Sequence, residues 1–410
     1  MDGVKIREYR NGFELRYMKL PLHNIMGSLV VNVGAGYELS HECGVSHYVE
    51  HTVMRGGTSK ISPEEAETIT SLLGKSNAYT SVNKTSYDGK FLPEDLDTYL
   101  DFVSDITRDA QFHPNVVEEE RNGILSERGG YANNPGELIV EALYNTMYSI
   151  SPFRRNSRLS LTGPEDNIRR FTQEDLKQYH RKWTNRANMT LYLMGPLPDD
   201  IEDKIAEYFG QEDAPFEQFR YEKEQGFAGV KRVGITRKGA QRTTVVMAWH
   251  GPPKEQHDLF LRVDFMKDML RGDFTSGLLR ELRVKRGLIY GIDSGYASEF
   301  GEGLFFVATD VHPGKESEIE EAVINYISRL QGGDIDKAFF ERQKRRERFF
   351  YGSALDYPKR LFSMIREEKE TGVGPERILK MVEGFQLKDV EEGAQHIDKN
   401  RYLFFTESPE

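Results

Sequence analysis

Apolar runs recur along the chain in one order that appears twice. In the first half, the short apolar run at 27–33 predicts a strand, because it is continuous and lacks helical periodicity. Two helical patterns, a pair of strands and a helix through Ile106 follow it. The second half repeats this order, with a strand at 243–249, helices near 257–270 and 275–286, strands near 289–310, and a helix after 314. The repeat predicts two homologous domains in a mixed α+β chain.

A charged, glycine-containing segment separates the two repeats. Such composition is typical of a linker, so we predict an N-terminal domain at 1–218, a linker at 219–237 and a C-terminal domain at 238–410. A chain of 410 residues is long enough to bury two cores of ordinary size.

The segment His47-Tyr48-Val49-Glu50-His51 carries the most specific chemical signal. On a helix, histidines at i and i+4 leave the same face and can converge on one metal ion. The flanking apolar residues and the Gly56-Gly57 pair predict a helix of about three turns that ends at these glycines. The competing interpretation is an amphipathic helix with exposed polar side chains. It is less favoured because this pattern is expected by chance only about 0.02 times in such a chain.

A second helix, predicted at 114–128 and ending at Gly129-Gly130, offers a third ligand. Glu120 and Glu127 lie seven residues apart and therefore on one face of it. Each glutamate taken alone is more typical of a solvated helix surface, so its meaning depends on resemblance to known proteins.

The chain resembles the insulinase or pitrilysin family of zinc peptidases, whose short two-domain branch includes the mitochondrial processing peptidases and their prokaryotic relatives. That family combines an inverted H-x-x-E-H motif with a glutamate roughly 75 residues later, inside E-R-x-x-aliphatic-aliphatic-x-E. Here Glu127 ends such a pattern and follows His51 by 76 residues (127 − 51).

The resemblance implies a role for each matching residue. His47, His51 and Glu127 would bind one Zn²⁺ per chain, Glu50 would act as the catalytic base, and Glu120 would support the site. The segment Asn77, Ala78, Tyr79 and Thr80 is similar to the family's substrate-binding edge strand, although Asn77 alone is equally typical of a turn. The implied fold is a half clamshell of two domains, each a largely antiparallel sheet with helices on one face.

The second half contains a further signature of the family, in which an arginine and a tyrosine lie seven residues apart. Arg283 and Tyr290 match it, whereas Val284 stands where the family commonly has glutamate. By resemblance, this catalytic pair would hold the substrate backbone and the developing oxyanion. Four such domains form the chamber of larger relatives, so we expect a homodimer in which the pair completes the other protomer's site.

Composition restricts the partners. The net charge of −11 argues against nucleic acid, and a single cysteine excludes an internal disulfide framework. No apolar run approaches a membrane span, and the acidic N-terminal segment is unlike a signal or transit peptide, so we expect a cytoplasmic location.

The predicted function is a zinc endopeptidase that cleaves short unfolded polypeptides inside a closed chamber. The first alternative is a non-catalytic peptide-binding or assembly subunit of a heterodimeric complex, a role that family members take after losing the motif. The second is an active chain that requires a related, motif-less partner. The preferred side chains at the cleavage site, and the choice between precursor processing and peptide clearance, stay open.

Overall fold

Two units make up the chain in a computed structural model that describes residues 3–74, 77–211, 216–217, 219, 221–224, 226–354 and 356–410. The first unit comprises Met1–Asn145 and Pro152–Glu222, and the second comprises Thr146–Ser151 and Lys223–Glu410. Residue 218, where the N-terminal domain is predicted to end, lies outside the described residues, as do residues 220 and 225 of the predicted linker.

The first unit contains six strands and nine α-helices within its described residues. The strands are β1 (Lys5–Glu8), β2 (Glu14–Lys19), β3 (Ile25–Val31), β4 (Asn77–Thr80), β5 (Thr85–Phe91) and β6 (Met189–Gly195). The helices are α1 (Val45–Arg55), α2 (Pro63–Leu72), α3 (Leu96–Asp109), α4 (Pro114–Ala132), α5 (Pro135–Met147), α6 (Arg158–Thr162), α7 (Glu165–Arg170), α8 (Gln173–Trp183) and α9 (Ile201–Phe209).

The second unit contains five strands and seven helical segments within its described residues. The strands are β7 (Lys231–Arg237), β8 (Thr243–Gly251), β9 (Asp293–Glu299), β10 (Glu302–Val311) and β11 (Leu403–Pro409). The helices are α10 (His257–Arg271), α11 (Gly277–Leu279, continued by a π-helical turn over Arg280–Lys285), α12 (Glu316–Gln331), α13 (Lys337–Ala354), α14 (Pro358–Thr371), α15 (Pro375–Gly384) and α16 (Leu387–Gln395).

Both sheets have the same strand order. The first sheet runs β1-β2-β6-β3-β5-β4 and the second runs β7-β11-β8-β10-β9. Apart from the additional β1, each sheet has one parallel pair, β2 with β6 or β7 with β11, and antiparallel pairs elsewhere. The predicted fold class, a mixed chain with two largely antiparallel sheets, is confirmed.

The predicted linker differs from the structure at its C-terminal end. Residues 231–237 form strand β7, which pairs with the last strand, β11. The charged and glycine-containing composition that suggested a linker is compatible with this strand because β7 lies at the sheet edge and its side chains are largely exposed.

Helices cover one face of the second sheet. Alternate strand residues Val245, Met247 and Trp249 belong to the buried core, together with Leu261 and Val323 from helices α10 and α12. This alternation is the expected consequence of a strand that presents successive side chains to opposite faces. No helix in the described part of the chain is both long and apolar enough to cross a membrane.

Two paired glycines let helix α3 approach the first sheet closely. Gly27 of β3 lies opposite Gly89 of β5, and the ring of Tyr99 rests on both. A Cβ atom added to Gly27 would lie 2.6 Å from the Tyr99 ring, which is closer than real contacts allow. The absence of side chains at these positions therefore makes room for a buried aromatic ring.

We expect Gly27→Ala to destabilise the protein by about 1–3 kcal/mol, because the Tyr99 ring must shift inside a packed core. Urea unfolding followed by circular dichroism measures the change. Gly130→Ala on helix α4 is the matched control: nothing lies within 4 Å of its added Cβ, and alanine is the better helix former. An equal loss of stability in both variants would contradict the packing argument.

Candidate metal centre

Helix α1 presents the predicted metal ligands His47 and His51 on one face. The helix begins after Gly44, whose positive φ of 94° suits glycine, and ends at Arg55 before Gly56, as predicted. The two imidazole rings lie 4.5 Å apart between their centroids. Helix α4 packs against α1 and brings Glu127 to the same place.

The three donors have the spacing that a shared ion requires. Glu127 Oε2 lies 3.7 Å from His47 Nε2 and 3.8 Å from His51 Nε2. These distances are too long for hydrogen bonds, but they approach the roughly 3.4 Å that separates ligands around tetrahedral zinc. Two imidazole nitrogens and one carboxylate oxygen are a usual donor set for catalytic zinc. The residues therefore fit a zinc ion.

Glu120 orients His51. Its Oε2 lies 2.8 Å from His51 Nδ1, and a carboxylate can only accept, so Nδ1 carries the proton and Nε2 offers its lone pair to a metal. Burial by itself would raise the pKa of Glu120, but its hydrogen bonds with His51 and Arg55 outweigh burial and lower that pKa. Arg55, at the end of α1, donates to the other oxygen of Glu120. No sequence motif pointed to Arg55.

His47 is held as a neutral ring. Burial, together with the neighbouring His51, lowers the pKa of His47 to about 3. Its Nδ1 is buried and has no hydrogen-bond partner within the described part of the chain. For His51, burial lowers the pKa, but the hydrogen bond to Glu120 and the surrounding carboxylates outweigh it, so the pKa is raised. A neutral imidazole is the form that binds metals.

Glu50 lies beside the two histidines and is buried. Burial raises the pKa of its carboxyl group to about 7, opposed by the charge of His51 and by a hydrogen bond from Thr80. Thr80 Oγ1 donates to Glu50 Oε2 over 3.1 Å. The last residue of the predicted substrate strand thus contacts the predicted base.

The second helix is longer than predicted. Instead of ending at Gly129-Gly130, helix α4 continues to Ala132, and the backbone N–H of Asn133 bonds to the carbonyl of Gly129. Glycine in a helix costs only about 1 kcal/mol, which the surrounding helical turns can offset. The extra turn places Tyr131 at i+4 from Glu127, and its hydroxyl donates to Glu127 Oε1 over 2.7 Å. A helix predicted to continue past Gly130 would have placed Tyr131 at i+4 from Glu127 and so indicated their contact.

We expect Tyr131→Phe to weaken zinc binding about tenfold, because Glu127 loses the hydrogen bond that orients it. Competition with a chromophoric chelator measures the affinity. Tyr208→Phe is a matched control, since its hydroxyl contacts Asp97 and is not among the cavity-lining groups. Unchanged affinity in Tyr131→Phe would show that Glu127 is held by other contacts.

A buried carboxylate anchors the start of helix α1. Glu38 accepts hydrogen bonds from the backbone N–H groups of Gly44 and Ser46, at 2.9 and 2.8 Å, and from the Ser46 hydroxyl. Burial raises the pKa of Glu38 to about 7, although these bonds oppose the rise. Arg155 donates to the carbonyls of Ala35 and Glu38 and fixes this turn. Glu38 was missed because no sequence motif marks its contacts with the start of α1, and Arg155 was missed because it lies 120 and 117 residues from the two carbonyls to which it donates.

The predicted metal ligands line a cavity of about 580 Å³. The predicted substrate residues Asn77, Ala78, Tyr79 and Thr80 form β4, the edge strand of the first sheet, and all four line this cavity. Tyr79 is exposed, whereas Thr80 is buried. The remaining lining residues include Met54, Arg55, Thr70, Tyr131, Arg158, Leu161 and Thr162.

Arg283 and Tyr290 lie together in the second unit. The Arg283 guanidinium sits 4.5 Å from the centroid of the Tyr290 ring and 5.0 Å from that of Phe274. Tyr290 is 78% exposed and Phe274 is 58% exposed. The structure therefore brings the predicted pair into mutual contact on an open surface of its unit.

Two family models match the chain. One, described as insulinase (peptidase family M16), matches residues 23–159, and the other, described as the peptidase M16 inactive domain, matches residues 170–347. The first match contains all the residues of the candidate metal centre, and the second contains Arg283 and Tyr290.

Individual proteins give the same result. An uncharacterized zinc protease of Rickettsia felis is 26% identical over 310 residues, 75% of this chain and 73% of that protein. The mitochondrial-processing peptidase subunit beta of Dictyostelium discoideum is 29% identical over 182 residues, 43% of this chain and 38% of that protein. A solved protease from Helicobacter pylori has the same fold, with a TM-score of 0.87, 19% identity and 99% of each chain covered.

Fold and site together define a two-sheet protein with an inverted histidine-pair metal motif. The chain belongs to the insulinase (peptidase M16) family.

Proposed function

We propose that this protein is a zinc-dependent endopeptidase that cleaves short unfolded polypeptides. One observation carries the proposal: His47, His51 and Glu127 place donor atoms within 4.8 Å of one another, with the buried carboxylate of Glu50 beside them. A donor set with an adjacent base is what metal-assisted hydrolysis needs.

Each side chain has a task in this mechanism. His47, His51 and Glu127 would hold the zinc ion, which when bound supplies a Lewis acid that polarises the scissile carbonyl and acidifies a water molecule. Glu50 removes the proton from the attacking water and delivers it to the leaving amine nitrogen. The hydroxyl of Thr80 holds the Glu50 carboxylate in position.

The substrate would bind as an added strand. Among the described residues, strand β4 lies at the edge of its sheet, so one side of its backbone is available for pairing with an extended peptide. Asn77 and Tyr79 line the metal cavity from this strand. An unfolded segment has its backbone N–H and C=O groups available for this pairing, which supports the choice of substrate class.

Arg283 and Tyr290 would act on the same reaction from the other domain. A guanidinium and a phenol can donate to an oxyanion and to substrate carbonyls. We propose a homodimer in which this pair completes the partner's site within a closed chamber that admits short peptides. The proposed location is the cytoplasm.

The first experiment incubates the purified chain, loaded with zinc, with a mixture of unstructured peptides. Mass spectrometry should show cleavage that stops when a chelator removes the metal and returns when zinc is added. A zinc-loaded protein that leaves every peptide intact would contradict an activity of this chain alone.

The shared site can be tested by mixing two inactive variants, Glu50→Gln and Tyr290→Phe. If random heterodimers form, one of their two sites is intact, so activity should return to about one quarter of the wild-type value. No recovery, from a mixture that light scattering shows to be dimeric, would contradict a site shared between protomers.

A non-catalytic subunit is the second candidate. It is favoured by the match of residues 170–347 to a domain described as inactive. Such a subunit would bind peptides without cleaving them. If the zinc-loaded wild type binds peptides but cleaves none of them, this second function is the one supported.

A further inference from the structure

One cation in the metal cavity has no role in the mechanism above. Arg158, the first residue of helix α6, lines the cavity together with the metal ligands. Its side chain is 63% exposed. Its guanidinium lies 5.4 Å from the centroid of the Tyr131 ring, and its Nε lies 3.7 Å from Glu137.

The other cation lining the cavity is already occupied. Arg55 forms ion pairs with three carboxylates, those of Glu67, Glu119 and Glu120. Arg158, by contrast, approaches Glu137 only at a distance beyond hydrogen-bond length. Among the described residues that line the cavity, Arg158 is therefore the cation whose guanidinium N–H groups can still donate hydrogen bonds to a bound ligand.

Tyr131 fixes the position of Arg158 relative to the metal centre. The Tyr131 hydroxyl is bonded to Glu127, so the ring cannot turn away freely. The Arg158 guanidinium lies over that ring at 5.4 Å from its centroid, a cation–π distance that holds it near the metal centre. The planar fork of an arginine matches a carboxylate with two parallel hydrogen bonds.

We propose that Arg158 selects peptides that place a carboxylate beside the scissile bond. The inference rests on the proposed function, because it assigns the substrate class of that same cavity. The carboxylate could belong to an aspartate or glutamate side chain or to the C-terminus of a short peptide, since both present the same group to the guanidinium.

The overall charge of the protein acts against the binding of acidic peptides. A net charge of −11 repels acidic peptides at long range and would favour basic ones. The cavity itself also contains the carboxylates of Glu50, Glu120 and Glu127. A preference for acidic peptides would therefore have to arise from a local contact, and Arg158 supplies the cation for it.

The experiment measures binding separately from cleavage. Zinc-loaded Glu50→Gln protein, which should bind without cutting, is titrated with fluorescent peptides that carry aspartate or asparagine at one position and a free or amidated C-terminus. We expect a carboxylate-bearing peptide to bind about tenfold more tightly than its neutral match, and Arg158→Gln to remove this difference.

Three further proteins sharpen the test. Arg158→Lys keeps the charge and should retain part of the preference, whereas Arg158→Glu should reverse it. Arg169→Gln removes the same charge from an exposed pair with Glu165 and should leave the preference unchanged. Circular dichroism and zinc content verify that each variant is folded and loaded. Equal affinity for charged and neutral peptides, or the same loss in Arg158→Gln and Arg169→Gln, would overturn the proposal.

The two proposals fail in different ways. If the wild type cleaves peptides but Arg158→Gln leaves both affinity and cut sites unchanged, only the role of Arg158 is wrong. If carboxylate-dependent binding depends on Arg158 while no peptide is cleaved, the peptidase proposal fails and the recognition site stands. If the loaded protein binds none of the peptides, both are refuted. If amidation of the C-terminus weakens binding, the terminal carboxylate is the group recognised. If replacing aspartate with asparagine weakens binding, the side-chain carboxylate is the group recognised.

Discussion

Replacing Glu50 with glutamine should lower the rate of peptide cleavage about a thousandfold without removing the metal. Glutamine has nearly the same shape, and its amide oxygen can still accept the hydrogen bond from Thr80. It cannot take a proton from water at neutral pH, so the step assigned to Glu50 is lost. The turnover rate of a defined peptide, measured beside the zinc content of the same sample, provides the test.

The control for this variant is a glutamate that lies outside the cavity. Glu165→Gln removes a carboxylate that forms an exposed ion pair with Arg169 and should cleave at the wild-type rate. If Glu50→Gln retains most of the activity with zinc bound, Glu50 is not the base. If it loses zinc as well, the loss of rate has another cause.

His47→Phe should abolish both zinc binding and cleavage while the metal-free protein remains at least as stable as the wild type. The wild-type ring is buried, neutral and without a partner for Nδ1 in the described part of the chain. A phenyl ring fills similar space and leaves no buried polar atom without a hydrogen bond, which otherwise costs about 1–3 kcal/mol. Removing one of three ligands leaves the ion without its site.

Thermal unfolding with and without zinc separates these effects. Because a ligand stabilises the state that binds it, zinc should raise the Tm of the wild type and leave that of His47→Phe unchanged. His257→Phe is the matched control, since both ring nitrogens of His257 are also buried without a partner among the described residues. It should keep the zinc-dependent shift. A zinc response in His47→Phe would contradict its role as a ligand.

Local patterns predicted the elements well where each signal is contained in one segment. The Gly56-Gly57 pair predicted where helix α1 ends, and the structure has that end. Glycine was misleading at 129–130, where the helix continues, because a helix end depends on neighbouring contacts as well as on propensity. The charged segment at 231–237 was predicted as part of a linker but forms strand β7. Its pairing partner β11 lies at the end of the chain, so the local composition does not reveal the pairing.

The residues of the candidate site also fall into those that local spacing predicts and those that it does not. The spacing of His47, Glu50 and His51 on one helix, and the repeated order of strands and helices, follow from residues that are close in sequence. Family resemblance added Glu127, Glu120, Arg283 and Tyr290, whose individual patterns are ambiguous.

By itself, then, the sequence determined the helix that carries the predicted histidine ligands, the two-domain repeat and the chemical class of the donors, because 3.6-residue and two-residue periodicities are local properties. Only the tertiary structure decided which distant groups meet there: the Thr80 hydroxyl on Glu50, the Arg155 guanidinium on the turn before α1 and the Arg158 cation in the cavity. These contacts depend on sheet pairing and helix packing between segments far apart in the chain, and no local periodicity encodes such pairing.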